Sequence, residues 1–459
     1  MIISLYLFLA VISAREILFY LKKNSFVDYK SILSSSITPS ISLLAPAYNE
    51  GKTIVENVRS LLSLHYGNYE VIIINDGSKD DCLAQMIEAY NLVKVDFFYD
   101  ERIPTKKVRA IYKSTNPAFF KLTVVDKENG GKSDALNVGI NVSRYEIFAA
   151  IDVDCIIEED ALLKMIKPFI EETGKKTIAT GGVIRIANSC EIKFGRIVEI
   201  HLPENFLARV QVLEYLRAFL LGRMAWSKLD GLLLISGAFG MFDKEIAIAA
   251  GGYNHKTVGE DMELVVRMRM YMHENNFKYK VAYIPDPLCW TEAPDNLKIL
   301  SRQRNRWTRG TIETLYTHKK IFFNSKYGTL GMFSYPYWFL FEWLAPIIEL
   351  GGLIYFIAMA IFGQVYWLFF FSLLIGIYCF AILFSVIALF SEEISFHQYK
   401  KPKDMARLFV TALLEPIIFH PLTVWWSIKG NIDLILGKKS WGEMSRVGFA
   451  KKIEKPSTA

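Results

Sequence analysis

Between Val365 and Phe390 the chain runs without a single charged residue, and no other stretch limits the possible folds as strongly. About 20 mostly apolar residues suffice to cross the hydrocarbon of a bilayer, so this segment is predicted to be a membrane-spanning helix. Met1 to Leu21, Tyr337 to Ile361 and Leu408 to Ile428 are also far richer in apolar residues than the middle of the chain. A chain of 459 residues that is 52% hydrophobic can supply these segments and still fill a separate soluble core.

Arg15 and Glu16 interrupt the first apolar run, and Lys22 and Lys23 follow it. A cleaved signal peptide would carry its basic residues before the apolar stretch, so an N-terminal anchor is expected. The positive-inside rule then places everything after Lys23 in the cytoplasm. Leu408 to Ile428 contains Glu415, Pro416, His420 and Pro421, which favours a re-entrant or interfacial path. The tail beyond it carries Lys438, Lys439, Arg446, Lys451 and Lys452 and is expected to be cytoplasmic. Glu342 and Glu349, seven apart, are predicted to share one helix face, bordering a polar path or snorkelling to an interface. The segment Tyr316 to Phe333, basic and aromatic, suits a helix lying in the interface.

The net charge of +6, gathered partly beside the apolar segments, fits anionic lipid headgroups, and no nucleic-acid motif is present. Cys82, Cys155, Cys190, Cys289 and Cys379 lack zinc spacing and read as packing thiols. Asn141 opens a glycosylation acceptor triplet that has no consequence in a cytoplasmic domain.

From Ile41 the pattern changes to short β-branched runs, ISLLA, VIIIN, LTVVD and IFAAID, separated by helix-length amphipathic segments. Such alternation predicts an α/β domain with a mostly parallel, doubly wound sheet. Ligands of such sheets bind beyond the carboxyl ends of the strands. There the runs end in Tyr48 to Glu50, Asn75 to Gly77, Asp126 and Lys127, and Asp152 to Asp154. A long helix is expected around Arg209 to Ala225.

Asp152 and Asp154, alternating at a strand end, can hold a hard divalent cation bridging a diphosphate; the competing reading is a solvated turn capping a helix. Gly130 to Ser133 precede a predicted helix capped by Ser133, whose amides and the Lys132 ammonium form a phosphate cradle. Glu260 and Asp261 open a helix at Met262, either as a general base with a loop-fixing partner or as plain helix caps. Gln303, Arg306 and Trp307 lie on one stretch: the guanidinium suits a pyrophosphate and the indole a sugar ring, against a basic membrane-surface helix. No Gly-x-Gly-x-x-Gly follows the first strand, which excludes a dinucleotide oxidoreductase.

PAYNE (46–50), NDGSKD (75–80), GGKSDALNVG (130–139), DVD (152–154), SGAFG (236–240), GED (259–261) and QRNRW (303–307) occur in one order. As a set they resemble the membrane-bound, often processive branch of glycosyltransferase family 2, which includes cellulose, chitin, hyaluronan and poly-N-acetylglucosamine synthases. The resemblance implies a GT-A (Rossmann-like) cytoplasmic domain with an α-helical transmembrane region, a UDP-sugar donor and Mg²⁺ or Mn²⁺. It implies that Tyr48, Glu50 and Asp76 hold the nucleoside, with Lys132 near the diphosphate. Asp154 binds the metal, Asp152 contacts the donor or metal, and Asp261, beside Glu260, is the general base. Gln303, Arg306 and Trp307 form the Gln-x-x-Arg-Trp signature at donor and acceptor. Residue 75 is Asn where some relatives carry a second Asp.

The resulting layout is an N-terminal helix at 1–23, the catalytic domain at 38–312, an interfacial region at 313–336, transmembrane or re-entrant helices at 337–428 and a basic tail at 429–459. The expected activity is inverting transfer to a growing β-linked polysaccharide, with export in view. The alternative is addition of one sugar to a lipid-linked or short acceptor. Membrane lipids are expected partners, nucleic acid is not, and a partner subunit or second copy is expected to complete a path through so few spans.

Overall fold

The computed structural model describes residues 2–35, 38–171, 173–193 and 195–438. Lys439, Arg446, Lys451 and Lys452 of the expected basic tail lie outside the described residues. Twelve strands occur in the described residues: β1 Ile41–Ala47, β2 Tyr69–Asn75, β3 Leu92–Val95, β4 Val108–Ser114, β5 Leu122–Lys127, β6 Ile147–Ile151, β7 Ile156–Ile157, β8 Lys176–Ile186, β9 Glu191–Lys193, β10 Arg196–Glu199, β11 Phe239–Asp243 and β12 Tyr279–Thr291. Ten of them form one sheet in the order β3-β4-β5-β2-β1-β6-β11-β8-β12-β7.

The four runs predicted as strands are β1, β2, β5 and β6, and they are the parallel heart of this sheet. Their near-unbroken apolar sequence follows from burial on both faces, as every residue of β2 and β6 is buried. The sheet as a whole is mixed, because β11 enters antiparallel between β6 and β8 and β4 pairs antiparallel with β5. Pro46, which has no N–H to give, sits near the end of β1 where pairing with β6 has already stopped at Leu44.

Two helices, Ile3–Asn24 and Trp367–Ser395, are long and apolar enough to cross a membrane. Two further pairs, Leu330–Trp343 with Ala345–Ile361 and Pro402–Ile418 with His420–Ile435, are bent by 43° and 49°, each a broken span or a re-entrant loop. The first bend corrects one expectation. Glu342 lies before it and Glu349 after it, so the two carboxylates are not on one helix face; Glu349 instead meets His420 Nε2 at 2.8 Å. The predicted Arg209–Ala225 helix is found as a continuous rod, Phe206–Leu216, a π-helical stretch Arg217–Arg223, and Met224–Lys228. The helix Leu297–Thr317 runs through residue 312, the expected end of the catalytic domain.

Charged side chains fasten the apolar helices to the sheet. Arg185 on β8 pairs with Glu392 on the Trp367–Ser395 helix, the two 3% and 1% exposed. Arg217 bonds Ser385 (2.9 Å) and both carboxylate oxygens of Glu415 (3.0 and 3.1 Å). Glu16, the acid in the first apolar run, takes a partner at Lys228 (2.8 Å) rather than standing alone. Removing one member of such a buried pair strands the other charge, at about 3–5 kcal/mol. Glu392→Ala is therefore expected to lower the unfolding temperature of detergent-purified protein by several degrees, and Arg185→Met with Glu392→Leu to recover most of it. An unchanged melting temperature in Glu392→Ala would contradict this.

Candidate active site

The strand ends are tied to one another through backbone and side-chain bonds. The Asp76 amide donates to the Ala47 carbonyl (2.9 Å), the Asn49 amide to Ser78 Oγ (3.0 Å), and the Lys79 amide to Asn49 Oδ1 (2.8 Å). Asn49 adopts φ 57 to make this turn, a region Asn tolerates. Tyr48 is exposed and Glu50 half-buried beside it.

Asp76 directly follows β2. It is 3% exposed, and its Oδ1 accepts from Lys127 Nζ (2.6 Å) and the Gly130 amide (2.9 Å), its Oδ2 from the Gly131 amide (2.8 Å). Burial pushes the carboxyl up, and these donors oppose the push. The carboxylate thereby ties the 127–131 loop to the end of β2. That loop turns at Gly131 (φ 86), which caps the helix Lys132–Val142. Ser133 is inside the first turn and buried, so the cap, Gly131, lies two residues earlier than the sequence implied.

Lys132 is the junction of the site. Its ammonium lies 2.5 Å from Asp152 Oδ1, donates to the Gly237 carbonyl at 3.1 Å, and approaches Glu260 Oε1 at 4.0 Å. Burial alone would lower its pKa, but the carboxylates of Asp152 and Glu260 outweigh that and raise it. The Lys132 charge thus pairs with carboxylates from two other segments.

Asp152 to Asp154 form a turn after β6, not a strand, with the Cys155 amide closing onto the Asp152 carbonyl (2.9 Å). The two carboxylates come together through this turn and not through pleat alternation. Ligand atoms of Asp152, Asp154 and Cys155 lie within 4.8 Å of one another. Two carboxylates at this separation fit a hard divalent cation. The Cys155 thiol is a soft donor, and its hydrogen bond with Cys289, together with burial, pushes it well above the ordinary thiol range.

Glu260 begins the helix Glu260–Glu274, capped by Gly259, so the helix starts two residues before Met262. Asp261 Oδ2 accepts the Gly237 amide (3.0 Å) and Oδ1 its neighbour's amide at Met262 (2.9 Å). Glu260 is 8% exposed; burial raises its pKa, Lys132 lowers it and Asp261 raises it. The start of this helix packs backbone to backbone on the Leu297–Thr317 helix. A Cβ on Gly259 would stand 2.7 Å from Gly310 Cα.

The site cavity measures about 660 Å³ and is lined by Lys132, Asp152, Glu260, Asp261, Gln303, Arg306 and Trp307 together. It continues among the apolar helices past Tyr6, Arg217, Arg223, Tyr337, Glu342 and Phe384. Tyr48, Glu50, Asp76 and Asp154 are not part of its lining. Trp307 is 39% exposed, and the Arg304 guanidinium lies 4.4 Å from its ring centroid, so part of the ring face expected for a sugar already has a partner. Reading the sequence missed Gly237, whose backbone links Lys132 to Asp261, although SGAFG stood in the ordered series. It also missed Glu214, bonded to Arg304 at 2.6 Å across 90 positions, for which no local pattern exists.

Comparisons with known proteins agree with this architecture. The profile of Glycosyl transferase family 2 matches residues 42–188, and that of Glycosyl transferase family group 2 matches 147–387, more than half of the chain. A poly-beta-1,6-N-acetyl-D-glucosamine synthase of Staphylococcus epidermidis is 30% identical over 60% of this chain and 55% of its own length. The synthase of that name from Staphylococcus aureus strain COL is 30% identical over 66% of this chain and 60% of its own. A mannosyltransferase of Pyrobaculum calidifontis, solved with GDP-Man and Mn²⁺, superposes with a TM-score of 0.50 at 15% identity, covering 96% of this chain and all of that one. At that identity the likeness establishes the fold, GT-A.

Gly259→Ala is expected to cost about 1–3 kcal/mol, because backbone faces backbone and cannot give way. Gly237→Ala places its Cβ 3.2 Å from Lys132 Nζ and 3.3 Å from Asp261 Oδ2. Flexible side-chain ends can move, so it should change stability by no more than about 0.5 kcal/mol. Thermal unfolding of both variants checks the contrast, and equal melting temperatures would refute it.

Proposed function

The chain belongs to glycosyl transferase family group 2, and on that premise we propose that it moves a sugar, with inversion, from a UDP-sugar to a growing β-linked polysaccharide at the cytoplasmic membrane face. The observation carrying this reading is the single cavity that holds Asp261 and Trp307 and continues among the membrane helices. A glycan extended at one end of such a cavity has a path toward the bilayer at the other. The names of the staphylococcal relatives support N-acetylglucosamine as the sugar.

Asp261 takes the proton of the acceptor hydroxyl; its second carboxylate oxygen is pinned by the Gly237 amide, which fixes the direction of the free lone pairs. Glu260 stays beside Lys132 and holds the loop. Lys132 and Arg306 turn to the diphosphate, Lys132 exchanging Asp152 for phosphate oxygens. Tyr48, Glu50 and Asp76 hold the nucleoside. Gln303 and Trp307 meet the acceptor. Asp154 and Asp152 would hold Mg²⁺ or Mn²⁺, which supplies charge neutralisation to the departing nucleoside diphosphate. Membrane lipids surround the apolar helices, and a second copy or partner subunit completes the path.

Asp261→Asn should lower UDP release from UDP-N-acetylglucosamine about 10²- to 10⁴-fold, the usual worth of a positioned base, while leaving donor binding intact. Chelation should stop turnover in the wild type and added Mn²⁺ or Mg²⁺ restore it, with Asp154→Asn needing more metal. Undiminished release by Asp261→Asn, or turnover indifferent to chelation, would sink the corresponding assignment.

A further inference from the structure

We propose that Glu214 and Arg304 are a positioning pair that sets the indole of Trp307 for the acceptor, an inference resting on the acceptor reading of Trp307 above. Within QRNRW, the spacing Gln-x-x-Arg-Trp leaves residues 304 and 305 unspecified, and the structure gives them separate work. Asn305 fastens the helix from behind, its Nδ2 donating to Asp433 Oδ2 at 2.8 Å on the His420–Ile435 helix. Arg304 stands three residues before Trp307 and so on the same face of the helix. Its guanidinium is 4.4 Å from the ring centroid, inside the range of a cation–π contact.

An arginine has many rotamers, and one lying on a ring at a cavity wall would exchange among them. Glu214, from the separate helix Phe206–Leu216, removes that freedom by accepting an Arg304 nitrogen at 2.6 Å. The pair is largely withdrawn from water, with 13% and 19% exposure for Arg304 and Glu214, so its attraction is screened less than that of a surface pair. Glu214, Arg304 and Trp307 all line the site cavity. The chain of contact runs from a fixed carboxylate through a planar cation to the ring.

The test is acceptor kinetics of detergent-purified full chain, with short β-1,6-linked N-acetylglucosamine oligosaccharides as the probe and UDP release as the readout. Arg304→Ala and Glu214→Gln should each raise the acceptor KM about three- to tenfold, the size of a partly desolvated cation–π contact, with donor KM unchanged. Arg304→Lys, which keeps the cation, should recover most of the loss. In a Trp307→Ala background, Arg304→Ala should add nothing further. If Trp307→Ala raises the acceptor KM but Arg304→Ala has the same effect with or without the indole, the pair is overturned and the acceptor reading stands. If Trp307→Ala leaves acceptor KM unchanged, both fall. The conservative variants keep shape and hydrogen-bonding capacity, so a merely structural role would appear as lost folded protein without a shift in KM.

Discussion

One ammonium group, that of Lys132, joins four segments that are remote in sequence: the helix after the GGKS turn, the Asp152 turn after β6, the Gly237 loop and the start of the Glu260 helix. Without this cation, Asp152 and Glu260 would lose the ammonium that lies between them, and burying the carboxylates would cost more. The Gly237 backbone doubles the link, because its carbonyl accepts from Lys132 while its amide donates to Asp261. A Cβ there would touch the flexible ends of both groups at 3.2 and 3.3 Å, so the link rests on the Gly237 backbone and not on the absence of a side chain. The site is therefore assembled by charge and backbone together.

The second constraint is the seam between sheet and membrane helices. Arg185–Glu392 and Arg217–Glu415 place paired charges where the apolar helices meet the catalytic domain. Pairs of this kind add little net stability over well-packed apolar residues, but losing one partner leaves the other charge buried and unpaired. The cavity passes through this seam. Arg217, one member of these pairs, lines that cavity.

Much of this was legible in the sequence because it rests on local pattern. The four central strands, the spans at Ile3–Asn24 and Trp367–Ser395 and the polar ends of the strands follow from apolar runs and turn residues. The residues gathered on the cavity, Lys132, Asp152, Glu260, Asp261, Gln303, Arg306 and Trp307, were all singled out in advance. What the pattern could not give was long-range partnership. Asp76 stands out in NDGS, but no local pattern shows that its oxygens accept from a loop more than fifty residues on. Glu342 and Glu349 were placed on one face by counting along a straight helix, and the break at Leu344 undid the count. Glu214 carried no motif at all; only folding brings it to Arg304.

The most direct test of the whole account is the length of the glycan made by purified full chain from UDP-N-acetylglucosamine with Mn²⁺ or Mg²⁺. A long polymer whose synthesis stops in Asp261→Asn is the predicted result. Release of UDP with only a single sugar added would contradict the polymer reading and mark transfer to a short or lipid-linked acceptor, and no turnover of any UDP-sugar would contradict the assigned activity.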